Sequence, residues 1–176
     1  MGRTIRIPLA VGAALVASAC GSMMKEETVA APQVPAAIAV PEGHKAAMIL
    51  KGSGQLTYEC RSGGAGYQWA FVGPDAVLTD SSGARAGRYY GGPTWEHKDG
   101  SAVTGKQIAV ASAAAGNIPL QLVQALPFSG GAFSGTRYIQ RVNTQGGVAP
   151  SEPCSAATVA AKRTVPYSAD YVFYKE

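Results

Sequence analysis

Short alternations of apolar and polar residues, each cut off by glycine, proline or a tight-turn pair, run from residue 46 to the end of this chain. They constrain its fold more than any other feature. Alternation with period two puts one face of a strand in a core and the other in water. In residues 55–60 it sets Leu56, Tyr58 and Cys60 on one side. In residues 67–72 it groups Tyr67, Trp69 and Phe71, which read most simply as core. Asp99-Gly100 is a two-residue hairpin signal joining residues 94–98 to 101–112. Further runs occupy residues 76–80, a stretch ending at Arg88-Tyr89-Tyr90, and residues 120–126, 137–142 and 170–174, the last placing Tyr171 with Phe173. Only residues 156–162 look helical, for two turns at most. The pattern predicts an all-β fold: a single antiparallel β-sandwich or small barrel-like domain, with one short helix near the C-terminal third.

Composition agrees. The 176 residues include 22 glycines, well above the usual share of about 7%. Charged residues make up 15%, against about 25% in an average domain. Few charges and many glycines suit short strands and tight turns better than amphipathic helices.

The three cysteines divide into one and two. Arg3 and Arg6 precede an apolar or small-residue run over residues 7–19, and Ala17-Ser18-Ala19 leads directly into Cys20. That order matches a signal peptide over residues 1–19, and a cysteine immediately after the cut resembles a bacterial lipobox. The run is shorter than the roughly 20 apolar residues needed to span a bilayer. Acylation of Cys20 would hold the chain on a membrane, each buried methylene adding about 0.8 kcal/mol. Gly21 is not the Asp of an inner-membrane retention signal. The expectation is therefore an outer-membrane anchor with the domain facing the periplasm. The alternative is cleavage without acylation, giving a soluble periplasmic or secreted protein. Residues 20–45, with Pro32, Pro35 and Pro41 and no helical period, read as the lipidated cysteine and a Pro/Ala-rich tether. Residues 46–176 form the β domain.

In an oxidising compartment the remaining pair, Cys60 and Cys154, reads as one disulfide. Closing a loop of roughly 95 residues is worth about 4.6 kcal/mol in the chain-entropy model. A metal-binding or reactive thiol is the alternative, but no closely spaced C-x-x-C exists. Without Arg3 and Arg6 the 15 basic residues fall to 13 against 11 acidic ones, which is no nucleic-acid footprint.

Three stretches carry a family resemblance: Gly91-Gly92-Pro93-Thr94-Trp95-Glu96-His97-Lys98-Asp99-Gly100-Ser101, the segment from Tyr138-Ile139-Gln140-Arg141-Val142-Asn143 through Gly146-Gly147-Val148-Ala149-Pro150, and Val165-Pro166-Tyr167-Ser168-Ala169-Asp170-Tyr171-Val172-Phe173-Tyr174. Together they resemble the domain of unknown function 3455, found in secreted proteins of bacteria and fungi. The resemblance covers about residues 55–174, and Cys60 and Cys154 fall where that family carries its cysteines. Tyr89-Tyr90 stands where the family usually has His-Tyr, and Leu120 where it tends to have Trp, so roles resting on that His or Trp do not transfer. The resemblance implies a fold and no activity. Some fungal relatives carry a malate dehydrogenase label.

The residues argue against that label. Gly64-Ala65-Gly66 lacks the third glycine of a dinucleotide fingerprint and sits in no βαβ unit. Gly100 to Lys106 has phosphate-loop spacing, but Gln107 replaces the magnesium-binding hydroxyl and a strand follows. With only His44 and His97, no built-in metal or other cofactor is expected. His97 with Asp99 reads as a surface ion pair at least as well as a catalytic one, and no nucleophile elbow is present.

Four residues stand out as a ligand-binding or structural polar cluster: Trp95, Glu96, Arg141 and Asn143. Glu96 points opposite to Trp95 and His97 on an alternating strand. If Trp95 is core, Glu96 faces solvent; if not, Glu96 is buried and needs Arg141 or a similar partner. Arg141-Val142-Asn143-Thr144-Gln145 before Gly146-Gly147 reads first as a turn cap. The expected function is a non-enzymatic cell-envelope lipoprotein whose β domain binds an envelope protein or polysaccharide. The alternative is a carbohydrate-active or other hydrolytic enzyme using Glu96 and a second carboxylate, which needs two carboxyls about 5–10 Å apart.

Overall fold

The structure, a computed structural model, describes residues 1–2, 29–128 and 130–176. Cys20 and residues 3–28 lie outside the described residues. Eight antiparallel strands close into a barrel in which each strand pairs with the next and the last returns to the first. They are β1 (Lys45–Gly63), β2 (Gly66–Thr79), β3 (Arg85–Tyr90), β4 (Thr94–His97), β5 (Ala102–Ala111), β6 (Leu120–Ala125), β7 (Thr136–Gly146) and β8 (Lys162–Lys175). Of the two expected architectures, the barrel is the one adopted. Closure pairs Lys45 with Lys175 at one end and Glu59 with Lys162 at the other, so the first and last strands share no open edge between them.

Inward side chains fill the barrel. Leu50, Leu56 and Tyr58 from β1 meet Leu78, Tyr89, Trp95, Val103, Val123, Ile139, Tyr171 and Phe173. An eight-stranded barrel has room for a packed interior or for one small ligand. One end is plugged: the loop after β6 turns Phe133 inward, fully buried, with its ring 4.6 Å from that of Phe173.

The outer wall over β6, β7 and β8 is covered too. Residues 29–44, expected as part of an extended tether, instead lie against the barrel as a strap. Its single 3-10 turn, Ala36–Ile38, buries Ile38 completely beside Leu122, Val142, Val172 and Tyr174. Gln140 Nε2 donates to the Ile38 carbonyl at 2.7 Å, and the Tyr174 hydroxyl donates to Gln140 Oε1 at 2.6 Å. This double burial explains why Tyr171-Val172-Phe173-Tyr174 is continuously apolar. A strand covered on both faces has no polar side to alternate with.

Two further expectations need correction. Tyr67 and Phe71 are 48% and 52% exposed, not core. The β1–β2 hairpin outruns the barrel: β2 pairs with β3 only from Asp75 on, so residues 66–74 have β1 on one side and no β3 on the other. The short helix over residues 156–162 shrinks to the 3-10 turn Ala156–Thr158. Ala160 turns to a φ of 66°, its N–H donates to the Cys60 carbonyl, and the Cys60 N–H donates to Ala161. Backbone groups that would have extended a helix are taken by β1. Cys60 and Cys154 form a disulfide across a sequence separation of 94, tying the β7–β8 connection to the hairpin.

Candidate functional site

The end opposite Phe133 is an open mouth. Odd-to-even connections (β1–β2, β3–β4, β5–β6, β7–β8) surround it, and a cavity of about 420 Å³ enters the barrel there. That lies within the roughly 300–1,000 Å³ usual for small-molecule sites. Leu56, Tyr58, Tyr89 and Ile118 form its buried walls, while exposed Phe71 and Val72 form an apolar lip.

Among the described residues, one charged side chain lines this cavity. Alternation along β7 sends Ile139 inward, Gln140 and Val142 outward beneath the strap, and Arg141 inward again. Register aligns Arg141 with Gln121 of β6 and Tyr171 of β8. Arg141 is half-buried, and its Nε and Nη2 donate to the Pro119 carbonyl at 3.3 and 2.9 Å. Among the described residues no acidic side chain lines the cavity, and no carboxylate lies within ion-pair distance of Arg141.

Tyrosines surround that cation. Burial raises the hydroxyl pKa of Tyr58, Tyr89, Tyr167 and Tyr171, and the positive charge of Arg141 opposes the rise in each. All four therefore stay protonated at neutral pH. Tyr58 donates to the Gly147 carbonyl at 2.7 Å, and the Tyr167 and Tyr171 hydroxyls are 3.2 Å apart. Gly147 adopts a φ of +80°, and a β-carbon there would meet Ile118, Leu56 and Tyr167 at 3.0 Å. Glycine is thus required where the β7–β8 connection bends over the mouth. Gln121 Nε2 donates to Gln107 Oε1 at 2.6 Å, which links the two amides at the rim.

The four residues singled out in the sequence do not form one cluster. Trp95 is wholly buried and stacks on Tyr89 with centroids 4.8 Å apart. Its indole N–H has no hydrogen-bond partner among the described residues. Glu96 accordingly faces outward, and its partner is Arg88, not Arg141. Arg88 reaches both carboxylate oxygens, at 3.2 and 3.0 Å, and the Tyr90 hydroxyl donates at 2.8 Å. The Arg88 bonds first, then the Tyr90 bond, hold the Glu96 carboxyl below its usual range. The depression beside it is lined by Arg85, Gly87, Arg88, His97 and Lys98, with no second carboxylate. Asn143 has a φ of 50° and donates to Asp170 Oδ2 at 2.8 Å on the outer wall. Only Arg141 belongs to the mouth.

His97 and Asp99 are a turn device. Asp99 Oδ1 lies 3.1 Å from His97 Nδ1 and accepts the Ser101 N–H at 2.8 Å, while Oδ2 accepts the Ala132 N–H at 2.7 Å. Among the described residues no group of three or more His, Cys, Asp or Glu could hold a metal ion. Tyr58, Tyr89 and Gln121 were missed as site residues because their pattern is that of core. One local signal was available: Arg141 is a charged residue on the inward phase of an alternating strand.

Comparison with curated proteins and with solved structures found no match. A family model described as a protein of unknown function (DUF3455) matches residues 41–175, from the end of the strap through β8. The barrel, its disulfide and its mouth are thus features of a chain that belongs to the DUF3455 family.

Proposed function

We propose that this protein is a non-enzymatic binding domain of the cell envelope, anchored through Cys20, and that the barrel mouth is where it binds. The observation that carries the reading is a cavity of small-molecule size, apolar and aromatic on its walls and holding a single charged side chain. Such concave, mostly apolar sites with few polar groups are the common form of ligand pockets. A hydrolytic role for Glu96 gains no support from a carboxylate already held by Arg88 and Tyr90.

The strap gives the anchor a direction. Val29 donates to the Ala46 carbonyl at the start of β1, beside the plugged end. Eight residues, 21–28, separate Cys20 from Val29. At no more than about 3.5 Å each they reach roughly 30 Å. On this reading the plugged end meets the membrane and the mouth opens away from it.

The test uses the exported full chain carrying Cys20→Ser, titrated with small apolar aromatics while backbone amide shifts are followed by NMR. Shifts concentrated at Tyr58, Tyr89 and Ile118 are expected. Shifts confined to the outer wall, or none, would remove the mouth as a binding site. Mass spectrometry of the native N-terminus tests the anchor separately, and a free Cys20 thiol would refute it.

A further inference from the structure

Resting on the reading of the mouth as a ligand site, we infer that its ligand is a small amphiphile: a flat apolar body bearing one anionic group, paired with Arg141. Two features of the cavity select this chemistry. The walls are Leu56, Tyr58, Tyr89 and Ile118, buried side chains that favour an apolar, ring-like body. Among the described residues the one ion lining the cavity is a cation, Arg141, with no carboxylate within ion-pair distance.

That imbalance is costly unless it serves something. A charge drawn out of water is normally paired or fully hydrogen-bonded. Arg141 is half-buried and lines the cavity, yet two of its five N–H donors share one carbonyl, that of Pro119, and the others have no hydrogen-bond partner among the described residues. The Pro119 contact fixes the guanidinium plane, so little rotamer freedom is lost when an anion arrives. Guanidinium binds carboxylate, sulfonate and phosphate oxygens in a planar fork, which a lysine at the same position would not reproduce. The surrounding phenols are neutral at physiological pH, so they neither repel an anion nor compete for the cation.

Neutral sugars are poorer fits, because they bring no charge to set against Arg141. Gln121 and Gln107 spend one donor and one acceptor on each other, and the Tyr58 hydroxyl donates to Gly147. A polymer is a poor fit as well, since the cavity ends against the packed interior around Trp95 and Tyr171.

The experiment compares two probes of the same ring system, 2-naphthoate and 2-naphthamide, by calorimetry on the exported full chain carrying Cys20→Ser. Naphthoate should bind about tenfold or more tightly than naphthamide, the smaller end of what a charge-assisted hydrogen bond supplies. The preference should weaken as salt is raised. In Arg141→Gln the ratio should fall to near one, and Arg141→Lys should retain part of it. Near-UV and far-UV circular dichroism matching that of the unsubstituted chain checks that Arg141→Gln is folded. Equal binding of both probes to the unmodified mouth overturns the anion assignment and leaves the mouth as a site for apolar ligands. A naphthoate preference that survives Arg141→Gln also overturns it. If neither probe binds, the reading of the mouth itself fails.

Discussion

Gly52 in β1 lies against Tyr171 in β8, so closely that a β-carbon on residue 52 would sit 2.6 Å from Cε2 of the tyrosine ring. Tyr171 is fully buried and leans on Tyr89 and Trp95, with centroids 4.9 and 5.6 Å away. The missing side chain at residue 52 is the space in which that aromatic cluster crosses the barrel. Gly52→Ala should therefore overpack the interior and destabilise by about 1–3 kcal/mol. Urea unfolding measures it, and an unchanged midpoint would show that the ring can move aside.

The disulfide ties the mouth's overhanging hairpin to the β7–β8 connection. Replacing Cys60 and Cys154 together by alanine should cost about 2–5 kcal/mol. Because residues 66–74 lack a β3 partner, the loss should appear first as faster hydrogen exchange there, ahead of the closed wall. Uniform loss of protection across all eight strands would contradict this order.

The strap should be a separately breakable layer. Ile38→Ala removes its one fully buried anchor on the outer wall, a change that costs about 2–5 kcal/mol in well-packed sites. Limited proteolysis should then cut within residues 29–44 while the barrel stays intact. Gln140→Leu should act in the same direction, because it orphans both the Ile38 carbonyl and the Tyr174 hydroxyl. Resistance of both variants to cleavage would mean the strap is held elsewhere.

Asp99 should make stability depend on acidity. Its bonds from Ser101 and from the Ala132 backbone hold its pKa well below the ordinary 3.8. A depressed carboxyl contributes stability that is full above its unfolded pKa and lost as pH falls toward the folded one. The stability difference between the native chain and Asp99→Asn should thus be constant above about pH 5 and shrink below about pH 4. Thermal melts across that range measure it, and a difference that grows in acid would reverse the sign of the proposed linkage.

Much of this architecture was legible in local pattern. The alternation at Leu56, Tyr58 and Cys60 buries all three, and Asp99-Gly100 does lie in the turn from β4 to β5, although that turn is longer than the two-residue hairpin expected, with the His97 N–H donating to the Ser101 carbonyl. The disulfide follows from counting cysteines and is present. Misreadings arose where a strand's surroundings changed along its length. Tyr67 and Phe71 alternate like core residues, but their strand has run past the barrel. Residues 29–44 read as spacer because their contacts are spread thinly over proline-rich chain, and only the wall beneath shows that Ile38 has a place to go.

Amino-acid order alone determined that this chain makes antiparallel strands and which two sulfurs pair, since these depend on neighbouring residues, turns and simple counting. Whether the strands close, and what the closed wall surrounds, was decided by pairings such as Lys45 with Lys175, set by register between distant segments. The same distant register put Arg141 inside a tyrosine-lined mouth and Glu96 outside with Arg88, because a side chain's surroundings are supplied by strands it does not adjoin in sequence.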